Sequence, residues 1–108
     1  MTLDRDLQSI QEVRDLVANA KKAQRELAEF SQEKIDRIIY EIAKDCAANA
    51  QKLAKMAVEE TGFGVWEDKV LKNLLGSTIT YESCKDMKTV GIIKEDKAAG
   101  LIEVGVPM

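Results

Sequence analysis

No histidine occurs in the 108 residues, and the only two cysteines, Cys46 and Cys84, lie far apart with no CxxC pair. Metal-ligand spacing is therefore missing, and a structural disulfide is not expected in a reducing compartment. Aromatic residues make up 5% of the chain, and its net charge of −3 comes from interspersed acids and bases. A nucleic-acid surface needs a basic stripe to neutralise phosphates and rings to stack on bases, so that class of partner is not expected. No apolar run nears the ~20 residues of a membrane span, and MTLDRDLQSI has neither the basic start nor the apolar centre of a signal peptide. The composition predicts a cytoplasmic protein without a membrane partner.

What is present is a globular balance, 45% hydrophobic and 32% charged. A single domain of this length buries about 65% of the surface its unfolded chain exposes, enough for a modest core.

Leu7, Ile10, Val13, Leu16, Val17, Ala20, Ala23 and Leu27 recur in helical steps, predicting a first amphipathic helix over Leu7–Leu27. Its other side carries Asp4, Arg14, Lys21, Lys22, Arg25 and Glu29, an ordinary solvated face. Ser31 is suited to cap a second helix over Gln32–Ala48, with Glu33 in the first turn where the helix dipole favours an anion. Ile35, Ile38, Ile39, Ile42, Ala43 and Cys46 form its apolar stripe, which predicts a core-facing, inert Cys46. Asn49 is expected to cap a third helix over Ala50–Thr61, and Gly62 to end it. A fourth helical pattern runs over Glu67–Lys85 through Val70, Leu71, Leu74 and Leu75, weakened by Gly76 and by the β-branched run Thr78-Ile79-Thr80.

The period then changes. Thr89–Lys94 and Leu101–Val106 read as two short strands joined by a loop that ends at Gly100. The expected fold is mainly α with a C-terminal β-hairpin: a helical segment over 1–88 and a hairpin over 89–108. An isolated two-stranded hairpin is marginal and offers an open edge, so the sequence reads as a domain cut from a longer polypeptide.

Catalytic machinery is not legible in these residues. Cys84 lies between Glu82 and Asp86, which disfavours a thiolate. Glu59-Glu60 and Glu67-Asp68 are adjacent pairs whose side chains diverge around a helix. The TGFGV stretch at 61–65 follows a helix and lacks the GxGxxG spacing of a dinucleotide turn.

Three longer segments carry a resemblance: KKAQRELAEFSQEKIDRI (21–38), LAKMAVEETGFGVWEDKVLKN (53–73) and KTVGIIKED (88–96). In order and spacing they resemble the N-terminal part of CoA-acylating, or acetylating, acetaldehyde dehydrogenases, including the dehydrogenase half of bifunctional aldehyde-alcohol dehydrogenases. The resemblance implies the N-terminal portion of an α/β aldehyde dehydrogenase fold, with the NAD-binding and catalytic domains outside these residues. It implies the oxidation of acetaldehyde with NAD and coenzyme A to acetyl-CoA and NADH through a cysteine thioester. The family nucleophile lies downstream, and neither Cys46 nor Cys84 matches it. The chain alone is accordingly expected to be inactive and to hold neither NAD nor coenzyme A.

The same likeness implies that the helices pack on the NAD domain, the remainder of the dehydrogenase chain. It also makes Val90, Ile92, Ile93, Leu101, Ile102 and Val104 residues of oligomerisation strands in a homo-oligomer. Asn73 becomes a candidate wall residue of the substrate channel. One departure is Gly105-Val106-Pro107, where relatives often read AEP, a change confined to the end of the strand. The alternative reading from the residues is a separately encoded helical module that self-associates without catalysis.

Overall fold

The computed structural model describes residues 3–108. Among the described residues, five α-helices, one π-helical turn and two strands follow one another. They are α1 (Arg5–Leu27), α2 (Gln32–Ala48), α3 (Ala50–Thr61), α4 (Trp66–Leu74), the π turn (Leu75–Ile79), α5 (Thr80–Cys84), β1 (Gly91–Asp96) and β2 (Leu101–Gly105). The chain divides into two compact units. One comprises the residues up to Ser31 with Thr89–Met108, and the other is Gln32–Lys88.

The helical unit is closed by small residues rather than large ones. Ala43 of α2, Ala50 and Ala54 of α3 and Ser77 of the π turn are its buried positions. Short side chains at these positions let helix backbones approach, and larger residues such as Ile38, Val58, Val70 and Leu74 are half-buried around them. Of the α2 stripe only Ala43 is buried: Ile35 and Ile38 are half-buried, while Ile39 and Ile42 are exposed. Cys46 is also exposed, which corrects the core-facing placement expected of it. Helical spacing puts a residue on a face, but how far a neighbouring helix covers that face is set by tertiary packing.

The two residues expected to bound α3 behave differently. Gly62 closes α3 at φ 67°, and its amide donates to the Val58 carbonyl at 2.8 Å. That left-handed conformation is readily available only without a Cβ. Asn49 occupies the residue before α3 but makes no side-chain cap there. Its Nδ2 instead donates to the Asp45 carbonyl at 2.8 Å, so it closes α2 rather than opening α3.

The expected helix over Glu67–Lys85 is helical throughout Trp66–Cys84, with the π turn at its middle. The widened turn coincides with Gly76 and the β-branched run. Thr80 Oγ1 donates to the Leu75 carbonyl at 2.6 Å, and Ser77 Oγ to the Asn73 carbonyl at 2.7 Å. Hydroxyls that bond back to preceding carbonyls compete with the regular helical ladder and favour such a local change of pitch.

β1 and β2 pair antiparallel, from Gly91 opposite Gly105 to Asp96 opposite Leu101. β1 starts later than expected and extends further: Val90 lies at a bend before it, and Glu95 and Asp96 belong to it. The displacement has a local cause, since Gly91 adopts φ 83°, outside the region of a continuous strand. β2 correspondingly ends at Gly105, leaving Val106 outside.

Candidate functional site

The hairpin is the most clearly built candidate surface. Asp96 Oδ1 accepts the Ala99 amide at 3.0 Å, and Gly100 takes φ 66°, so a side-chain bond and a left-handed glycine together reverse the chain. A register irregularity between Ile92 and Lys94 inserts Ile93 as an extra residue of β1. Ile92 pairs with Val104, whereas Lys94 pairs with Glu103. Alternation along β2 therefore puts Val104 and Ile102 on one face and Glu103 on the other. Ile92, Ile93, Leu101, Ile102 and Val104 are all exposed.

The root of the hairpin is tight. A Cβ built on Gly105 would collide with the Thr89 carbonyl oxygen and lie 2.9 Å from Ile93 Cδ1. Glycine within a strand is a general signal of close backbone approach, so Gly105 was legible in kind. Its partner Thr89 was not, because the sequence carries no register.

In the same unit α1 has no buried residue, and Leu7, Ile10, Val13, Leu16 and Val17 of its stripe are exposed. Near its C-terminal end, Ala20, Ala23, Leu27, Phe30 and Met108 line an open, largely apolar groove of about 540 Å³. Pro107, by contrast, is buried.

In the helical unit, Asn73 is half-buried and its Nδ2 donates to the Ala50 carbonyl at 2.9 Å. Asn73 also borders a groove of about 390 Å³ with Cys46, Leu53, Lys72, Gly76 and Ser77. Cys46 and Cys84 both line a smaller groove of about 170 Å³ beside Ile42, Gly76 and Tyr81. Both thiols are free.

The acidic pairs remain on the surface, and among the described residues no group of three or more metal-capable side chains converges. The nearby Glu82 carboxylate, bonded to Lys85 Nζ at 2.8 Å, raises the lysine above its ordinary range, yet this pair is exposed. No described helix is long and apolar enough to cross a membrane.

The Thr61–Val65 turn has a geometry unlike a dinucleotide cradle. Gly62 terminates α3, Thr61 Oγ1 accepts the Phe63 amide at 3.2 Å, and Phe63 stands 77% exposed. Pyrophosphate binding uses a glycine turn that leaves a strand and opens a helix. This turn leaves a helix instead, so it does not fit NAD.

No protein-family model matches the chain. Individual proteins do. The bifunctional aldehyde-alcohol dehydrogenase AdhE of Escherichia coli K12 is 44% identical over 100 residues, covering 93% of this chain and 11% of that protein. The acetylating succinate-semialdehyde dehydrogenase of Clostridium kluyveri is 44% identical over 95 residues, covering 88% of this chain and 21% of its own length.

Among solved structures, a probable aldehyde dehydrogenase from Listeria monocytogenes EGD-e aligns with a TM-score of 0.82 at 54% identity, over 94% of this chain and 22% of that one. An acetylating aldehyde dehydrogenase from Geobacillus thermoglucosidasius aligns with a TM-score of 0.79 at 52% identity, over 90% and 22% respectively. The chain thus spans between about a tenth and a fifth of the length of these relatives. Sequence and backbone agree over most of this chain: it is a homologue of the N-terminal region of the acetylating aldehyde dehydrogenases.

Proposed function

We propose that these residues serve as the N-terminal region of an NAD-dependent, CoA-acylating aldehyde dehydrogenase, which converts acetaldehyde, coenzyme A and NAD to acetyl-CoA and NADH in the cytoplasm. The observation that carries this reading is the likeness to the acetylating aldehyde dehydrogenase of Geobacillus thermoglucosidasius, with a TM-score of 0.79 at 52% identity over 90% of the chain. Within such an enzyme the chain contributes packing and association rather than reacting groups. The helices rest on the NAD-binding domain, and the hairpin residues Ile92, Ile93, Leu101, Ile102 and Val104 pair with a neighbouring subunit, with Val90 leading into that arm. The exposed apolar residues of α1 and the hairpin support this, because surface of that kind is stabilised by being covered.

Asn73 forms part of the substrate-channel wall in this reading. Its amide already donates to Ala50. The side chain therefore shapes the wall by holding α4 to α3. Catalysis, NAD binding and coenzyme A binding belong to the rest of the dehydrogenase, and the 108 residues alone are inactive.

Two assays test the proposal. The isolated chain, given acetaldehyde, coenzyme A and NAD, should form no NADH; turnover abolished by Cys46→Ser or Cys84→Ser overturns the assignment of chemistry to other residues. In the second assay this chain replaces the matching segment of the E. coli bifunctional enzyme. Acetylating activity in the chimera is the expected result. A chimera that folds and assembles yet forms no NADH contradicts the proposal.

A further inference from the structure

We draw no further inference here: the strongest candidate, the apolar groove that Cys46 and Cys84 line between α2 and the π turn leading into α5, is an unpartnered face of the helical unit, and nothing in the structure shows what covers it.

Discussion

Asn73 donates its side-chain amide to the Ala50 carbonyl at 2.9 Å, joining α4 to the first turn of α3 across 23 positions of sequence. Ala50 is among the buried residues of the unit, and the Asn73 carbonyl in turn accepts from Ser77 Oγ at 2.7 Å. One residue thus connects the start of α3, the end of α4 and the π turn.

Replacing Asn73 with alanine removes the donor and leaves the Ala50 carbonyl in a half-dry setting. The expected loss is about 1–2 kcal/mol, from the missing bond and the less well satisfied acceptor. Urea titration followed by circular dichroism measures it. Asn73→Asp should cost more, since a carboxylate then faces a carbonyl with no proton to share. Equal stability of all three proteins would show that the bond contributes nothing net.

Two glycines should respond to alanine in opposite directions. Gly76 lies in the π turn without a positive φ and has nothing within 4 Å of an added Cβ, so Gly76→Ala is expected to stabilise by about 0.5–1 kcal/mol. Gly105→Ala drives a methyl into the Thr89 carbonyl, and the root of the hairpin must shift. Cross-strand proton contacts between Ile92 and Val104, read by NMR, should weaken or vanish in the second variant and persist in the first. Intact hairpin contacts in Gly105→Ala would mean that the approach of Thr89 is not fixed.

Both thiols should react with Ellman's reagent in the native protein, without denaturant, because Cys46 and Cys84 are exposed. Cys46→Ser and Cys84→Ser should each remove one equivalent and leave stability within about 0.5 kcal/mol, the usual range of surface substitutions. A Cys46 thiol that reacts only after unfolding would restore its core-facing placement, and the same behaviour at Cys84 would contradict its exposure.

Self-association of the isolated chain is expected to depend on the hairpin. Each 100 Å² of apolar surface covered stabilises by about 2.5 kcal/mol before association costs are subtracted, and the strand edge adds unpaired amides and carbonyls. Sedimentation at tens of micromolar should show association of the wild type, most simply as a two-fold dimer, and a shift towards monomer for Ile92→Lys. A monomeric wild type, or a variant that associates equally well, removes the hairpin as the association surface.

Local pattern was enough for the element order, because helical and strand periodicities need no distant partner. The steps of three and four from Leu7 to Leu27, the glycine at 62 and the β-branched runs around 92 and 104 leave little choice of backbone. The sequence also carried the likeness to acetylating aldehyde dehydrogenases, since long segments such as 53–73 match in order and spacing. Packing between elements set what they do to one another. It made Ala43, rather than Cys46, the residue of the α2 stripe that is buried, and it committed the Asn73 amide to Ala50. It sent the Asn49 amide back to Asp45, and it set Gly105 against Thr89 after inserting Ile93 as a bulge. Each of these depends on which backbone approaches which side chain. A one-dimensional pattern fixes the face a residue occupies, while burial and hydrogen-bond partners are set by the distance to elements remote in the chain.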